Sequence, residues 1–218
     1  MTLTRAETVE GLETEWATSE EFIRGLSDAD MERGSRCEGW TVRHLAEHLV
    51  ENVSDLAGGT VGNAPGRHNF DERSRRTSAQ LADELHASSE IAMKLLRAID
   101  DHFWAQPSPF PGLTVRQGVE VLWVESFVHE DDVRHALELP PRPSPGLALE
   151  ITLRHIAEEM GRRGWNRRTL EFEGVPTIRI GPGGESITGD PMKFVLAATG
   201  RIPASDVGLD ETVNIYRR

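Results

Sequence analysis

Apolar residues recur along this chain at intervals of three and four, and each run closes on a polar or glycine-containing break. Leu12, Trp16, Ile23 and Leu26 fall near one face of a helix expected over residues 7–26. A connector over 34–40 follows. Thr41 then reads as the N-cap of a second helix reaching about residue 57, with Val42, Leu45, Leu49, Val53 and Leu56 as its apolar line. GGTVGNAPGRHN, residues 58–69, is a loop by composition. Leu81, Leu85, Ala92, Leu95 and Ile99 predict a third helix over about 77–104. After the proline-rich AQPSPFPGL, Thr114 caps a fourth over about 115–138. Four helices joined by short loops predict an antiparallel four-helix bundle.

LPPRPSPG, residues 139–146, reads as a linker between a bundle of residues 1–138 and a second unit of residues 147–218. Beyond it the pattern changes. A helix over 147–163 precedes two alternating stretches, TLEFEGV and TIRIG, and a GPGG turn. A short helix over 190–199 and a final strand around TVNIY complete a small α+β domain. No internal repeat or low-complexity tract is visible.

Composition narrows the function. With 24 basic and 36 acidic residues the net charge is −12, whereas nucleic acid or an anionic membrane calls for a basic footprint. The single Cys37 forms no internal disulfide, no apolar run approaches a membrane span, and the first residues lack a signal-peptide core. The expectation is a cytoplasmic protein, monomeric or a small homo-oligomer, whose partners are small molecules.

LWVESFVHEDDVRHAL, residues 122–137, places a carboxylate inside an apolar run, which costs several kcal/mol unless a cation meets it. At about 100° per residue, measured from the line through Val115, His129 lies roughly 40° off, Glu125 roughly 80° and Asp132 roughly 100°. All three share the flank of the buried face. Glu125 and His129, at i and i+4, can hold one ion, with Asp132 behind as a supporting partner. A third ligand should come from a neighbouring helix. On the second helix His48 sits about 100° from the apolar line and His44 about 140°, so His48 is the choice. Two imidazoles, one carboxylate and an open position suit catalytic zinc, and nickel or iron are compatible. A solvated Glu–His pair or an ordinary ion pair is the bland alternative.

CEGWTVRHLAEHL (37–49) resembles the C-P-G-W-T-V-R-D-L-x-x-H-L signature of the DinB-like superfamily, in its mycothiol-dependent maleylpyruvate isomerase branch. ESFVHEDDVRHAL (125–137) is similar to that family's E-x-x-x-H-x-x-D-x-R-x-A-L segment, and TGDPMKFVLAATGR (188–201) to its carboxy-terminal G-x-x-x-x-L-L-x-x-x-T-G-R. The resemblance implies a metal held by His48, Glu125 and His129 and a bundle followed by a small α+β domain. Glu38 stands where the family usually has proline, His44 where an acid is common, and Glu138 where glycine is usual.

The resemblance also implies mycothiol or a similar low-molecular-weight thiol as cosubstrate. Metal-assisted ionisation of that thiol, addition to an electrophilic small molecule, and either retention as an S-conjugate or elimination with cis–trans isomerisation would follow. S-transfer is preferred over the one isomerisation. A metal-dependent hydrolase and a non-catalytic metal-binding or stress-response module are the alternatives. Arg201 is a candidate for binding an anionic substrate or thiol, with helix capping as its plain reading. Trp40 and Trp123 read as packing, Cys37 as structural, and GPGGES as a turn without phosphate-loop spacing.

Overall fold

Threonine caps set where the long helices begin. The computed structural model describes residues 3–61, 76–143, 146–165 and 167–216; most of the loop expected over 58–69 lies outside them. Thr4, Thr41, Thr77 and Thr114 each accept the amide three residues on, while the side chain at that position accepts the threonine's own N–H. These caps open α1 (Arg5–Arg24), α3 (Val42–Gly58), α4 (Ser78–Ala98) and α6 (Val115–Ala136). Ser27 and Asp100 open two single-turn helices, α2 (Asp28–Met31) and α5 (Asp101–Trp104).

The single helix expected over 77–104 is therefore two. Ile99 turns extended, and the carboxylate of Asp100 accepts the Phe103 amide at 2.7 Å, starting a new turn. Leu95 faces out at 45% exposure and Leu96 takes the core position instead.

The chain forms two compact units, Thr2–Ser144 and Pro145–Arg218. In the first, α4 and α6 each pack against both α1 and α3, which gives the expected four-helix bundle. Contacts along the helices fix their directions. Arg24 meets Asp83, Glu20 meets His86, and Glu13 meets Arg97, so α4 runs antiparallel to α1. Arg43 donates to the Arg76 carbonyl and Ser54 pairs with Ser88, so α3 and α4 run parallel, a departure from the antiparallel arrangement expected of packed neighbours.

A repeat invisible in the sequence pattern organises this unit. SRCEGWTVR (35–43) and SPFPGLTVR (108–116) lie 73 residues apart, counting Ser35 to Ser108. They fold into the same hairpin-like loop. Ser35 N–H donates to the Trp40 carbonyl at 2.8 Å, and Ser108 N–H to the Leu113 carbonyl at 2.7 Å. Val42 N–H donates to Arg33 and Val115 N–H to Gln106, both at 2.8 Å. The serine hydroxyls accept the amides of Cys37 and Phe110 at 3.2 and 3.1 Å. Gly39 and Gly112 take the same left-handed turn, at φ 76° and 78°. The caps obey the same shift: Thr4 and Thr77, Ser27 and Asp100, Thr41 and Thr114. The bundle is thus two copies of one helix–loop–helix unit, α1–α3 and α4–α6, a hairpin in chain path whose helices pack mainly on those of the other copy. The expectation of no repeat fails because only the loop residues keep their identity; the helices keep only their pattern.

The core is filled by Leu12, Trp16, Leu45, Leu81, Leu85 and Trp123, all at 2% exposure or less. Trp123 lies so close to α1 that a Cβ on Gly11 would stand 2.1 Å from its ring. Among the buried carboxylates are Glu15 and Glu130. Arg142, from within the proline-rich stretch, reaches both, at 2.6 and 3.3 Å, and Arg134 pairs with Glu130 at 2.7 Å.

The second unit contains α7 (Gly146–Arg162), β1 (Arg168–Leu170), β2 (Ile178–Ile180), β3 (Glu185–Ile187) and α8 (Pro191–Ala198). The sheet order is β2-β1-β3, with β2 antiparallel and β3 parallel to β1. Here α7 packs on β2 and α8. The strand expected around TVNIY is absent among the described residues. Val213 and Ile215 are buried as the alternation implies, but Asp210 caps a 3-10 turn over Glu211–Val213 that prevents pairing. Among the described residues, no helix is long and apolar enough to cross a membrane.

Candidate metal centre

Three side chains singled out by helical spacing meet where α3 crosses α6. His48 Nε2 and His129 Nε2 each lie 3.1 Å from the same oxygen, Oε2 of Glu125. The donor atoms of all three fall within 4.8 Å of one another. Four-coordinate zinc, with bonds of about 2.0–2.2 Å, asks for donors roughly 3.3 Å apart, so the set fits a cation after a small relaxation. The two imidazoles stand perpendicular, 5.1 Å between centroids. Exposures of 12% for His48, 10% for His129 and 22% for Glu125 place the cluster at the edge of the core, with one side open.

Electrostatics tie the three together. Burial works against the charge on Glu125, but hydrogen bonds from His129 and His48 outweigh it and hold the carboxyl well below its ordinary value. Burial likewise opposes a charge on His129; Asp132, Cys37 and Glu125 outweigh it and push the imidazole well above its ordinary value. A cluster that draws positive charge this strongly is suited to a cation.

Asp132 is fully buried and bonded on both of its oxygens. Its Oδ2 lies 2.9 Å from His129 Nδ1, and its Oδ1 accepts from Arg36 Nε at 2.6 Å. The other arm of Arg36 pairs with Asp131. Cys37 Sγ donates to Asp132 Oδ2 at 3.3 Å. Arg134 pairs with Glu130.

Trp40 was expected only to pack. Its half-buried ring lies edge-on to His48 at 5.3 Å and stacks on His129 at 6.1 Å, forming one wall of the site. His44 takes no part in the cluster; its Nδ1 accepts the Thr41 amide at 3.0 Å, completing the α3 cap. In the second unit, Arg201 donates to the Thr199 carbonyl at 3.2 Å, just past α8.

Arg36 escaped sequence reasoning. It sits in a connector with no periodicity, and only the hairpin hydrogen bonds turn it toward α6.

Seen through the repeat, the described residues at the other end of the bundle hold no such cluster. Glu125 corresponds to Asn52, which stands at the same centre, its Nδ2 3.2 Å from His48 Nε2. The counterparts of His48 and His129 are Val121 and Leu56; those of Arg36, Cys37 and Asp132 are Pro109, Phe110 and Gly59. In place of a polar cluster there is an apolar cavity of about 470 Å³ whose walls include Leu56, Leu95, Ile99, Phe110, Val119 and Leu122.

The crystal structure of a histidine-to-alanine mutant of the mycothiol-dependent maleylpyruvate isomerase superposes with a TM-score of 0.61 at 20% identity, covering 97% of this chain and 98% of that one. The crystal structure of the mycothiol-dependent maleylpyruvate isomerase itself gives 0.58 at 20% identity, covering 93% of each chain. At that identity the likeness is one of fold. No curated protein matches the chain in sequence. The family model for the mycothiol maleylpyruvate isomerase N-terminal domain matches residues 12–134, more than half of the chain and both helices that carry the clustered donors. The chain therefore belongs to the mycothiol maleylpyruvate isomerase family and has its DinB-like fold.

Proposed function

We propose that this protein is a metal-dependent thiol enzyme in which His48, Glu125 and His129 hold one divalent cation, zinc by preference, with nickel or iron accepted by the same donors. The observation that carries this reading is the convergence of two imidazole nitrogens on one carboxylate oxygen at the open edge of the core. A cation bound there would supply the Lewis acidity that keeps a small thiol ionised at neutral pH. Family membership supports mycothiol, or a thiol like it, as the cosubstrate.

The chain's own residues do the rest. Asp132 accepts the Nδ1 proton of His129, which leaves the Nε2 lone pair turned toward the cluster. Trp40 walls one side and limits water there. The electrophilic small molecule approaches from the open side. The adduct is retained as an S-conjugate, or the thiol leaves again after bond rotation and the double bond is isomerised. Arg201, which donates to the Thr199 carbonyl just past α8, is kept in this reading as the proposed contact for an anionic substrate or thiol.

Plasma mass spectrometry of the untagged protein tests the proposal. About one metal per chain is expected in the parent and none in His48→Ala or Glu125→Ala, with thiol-dependent consumption of an electrophile lost in step. A parent that takes up neither zinc nor nickel on reconstitution would sink the mechanism.

A further inference from the structure

The internal repeat supplies a control for deciding which loop residues serve the fold and which serve the site. Both loops use the same serine, glycine and threonine for the same hydrogen bonds and the same left-handed turn. At the positions of Arg36 and Cys37 the second loop carries Pro109 and Phe110 without any change in backbone pattern. The loop's conformation therefore does not require an arginine at 36. What the arginine touches does require one: Asp132, which is fully buried, and Asp131 beside it.

Resting on the proposed metal reading, we infer that Arg36 is a positioning residue for His129, acting through Asp132. A guanidinium presents several donors in a rigid fork, so one side chain can engage two adjacent carboxylates in a fixed relation. With Oδ1 of Asp132 held by Arg36 Nε at 2.6 Å, Oδ2 is presented to His129 Nδ1 at 2.9 Å. Cys37 adds a weak donor to the same oxygen. The imidazole is thereby locked with its other nitrogen facing Glu125 and His48. The chain Arg36–Asp132–His129 joins the first hairpin's loop to the second hairpin's helix, so the centre is oriented from both copies of the repeat.

The test is the affinity and absorption spectrum of bound cobalt(II) in Arg36→Met, beside Arg134→Met as control. Arg134 belongs to a comparable buried ion pair that touches none of the donors. Both variants should melt at lower temperature. Only Arg36→Met should lose cobalt affinity, by about 10- to 100-fold, as is usual when an outer partner of a metal-bound histidine is removed. Its visible d–d bands should also shift or weaken. Parent-like affinity and spectrum in Arg36→Met would overturn the inference while leaving the metal centre intact. A parent that binds no cobalt would overturn the metal reading itself. Should Arg36→Met fail to fold, Arg36→Lys takes its place. Its single ammonium lacks the fork, so weaker binding than the parent is expected, and equal binding overturns the inference.

Discussion

The two hairpins of the bundle differ far less in backbone than in chemistry. Their caps, their loops and their glycine turns coincide over a shift of 73 residues, yet one end of the bundle gathers two histidines, three carboxylates, an arginine and a thiol while the other gathers leucine, isoleucine and phenylalanine. The difference shows that the path of the loop backbone needs none of the polar groups. What folds the hairpin is the serine–glycine–threonine loop and an apolar face on each helix; the candidate centre is an addition carried at one end.

The comparison is broken most sharply at Glu125. Replacing it with Gln, which keeps the shape and removes the charge, should reduce cation affinity by more than the roughly 10- to 100-fold typical of an outer partner. Replacing Leu56, the repeat counterpart of His129, with Ala should leave a clear majority of the affinity in place, by the same cobalt titration. Equal losses at both positions would mean that the two ends are not chemically distinct.

Gly11 sharpens the comparison next. Its counterpart in the second hairpin is Glu84, so the helix itself does not demand glycine. The close approach of Trp123 does. Gly11→Ala, which on an open helix gains about 0.5–1 kcal/mol, should instead cost about 1–3 kcal/mol, read from the urea midpoint.

The metal-free protein should show a pH signature that a bundle with two apolar ends would lack. Glu125 is held well below 4.5, so its contribution to stability is complete above that pH and is lost as pH falls through the lowered value. His129 is held well above 6.5, so its contribution is complete below that pH and is lost as pH rises through the raised value. Melting temperatures of the apo protein should therefore peak between 4.5 and 6.5 and decline on both sides. The alkaline decline should vanish in His129→Gln.

The smallest effect concerns how the helices end. The α3 helix stops at Gly59 with φ 69°, whereas beyond α6 the left-handed position is filled by Glu138 at φ 57°. The family's usual glycine now has a physical reason: a Cβ is strained there. Glu138→Gly should raise the urea midpoint by the equivalent of about 0.5–1 kcal/mol, even after its exposed contact with Arg33 is lost.

What could be read in advance follows from where periodicity exists. The faces of α3 and α6 were legible because helical spacing converts position into angle, and His48, Glu125 and His129 are drawn together from that alone. Asp132 was legible for the same reason. Arg36 and the role of Trp40 were not, because they lie in a loop whose path is set by backbone hydrogen bonds rather than by a repeating pattern. The break at Ile99 was hidden by a side chain that continues the apolar rhythm while its backbone leaves the helix. In the second unit, the alternation at Val213 and Ile215 marked burial correctly but not a strand, since burial needs no pairing partner.

Trp40 makes the candidate centre visible in solution. Its indole centroid stands 5.3 and 6.1 Å from those of the two imidazoles, which places an emitting group beside the atoms whose protonation changes when a cation arrives. Imidazolium quenches indole emission more strongly than neutral imidazole does. Occupation of the centre should therefore brighten and shift the fluorescence of this one tryptophan, and Trp40→Phe should silence that change without removing a donor. The molecule carries its own optical gauge of whether the site is loaded.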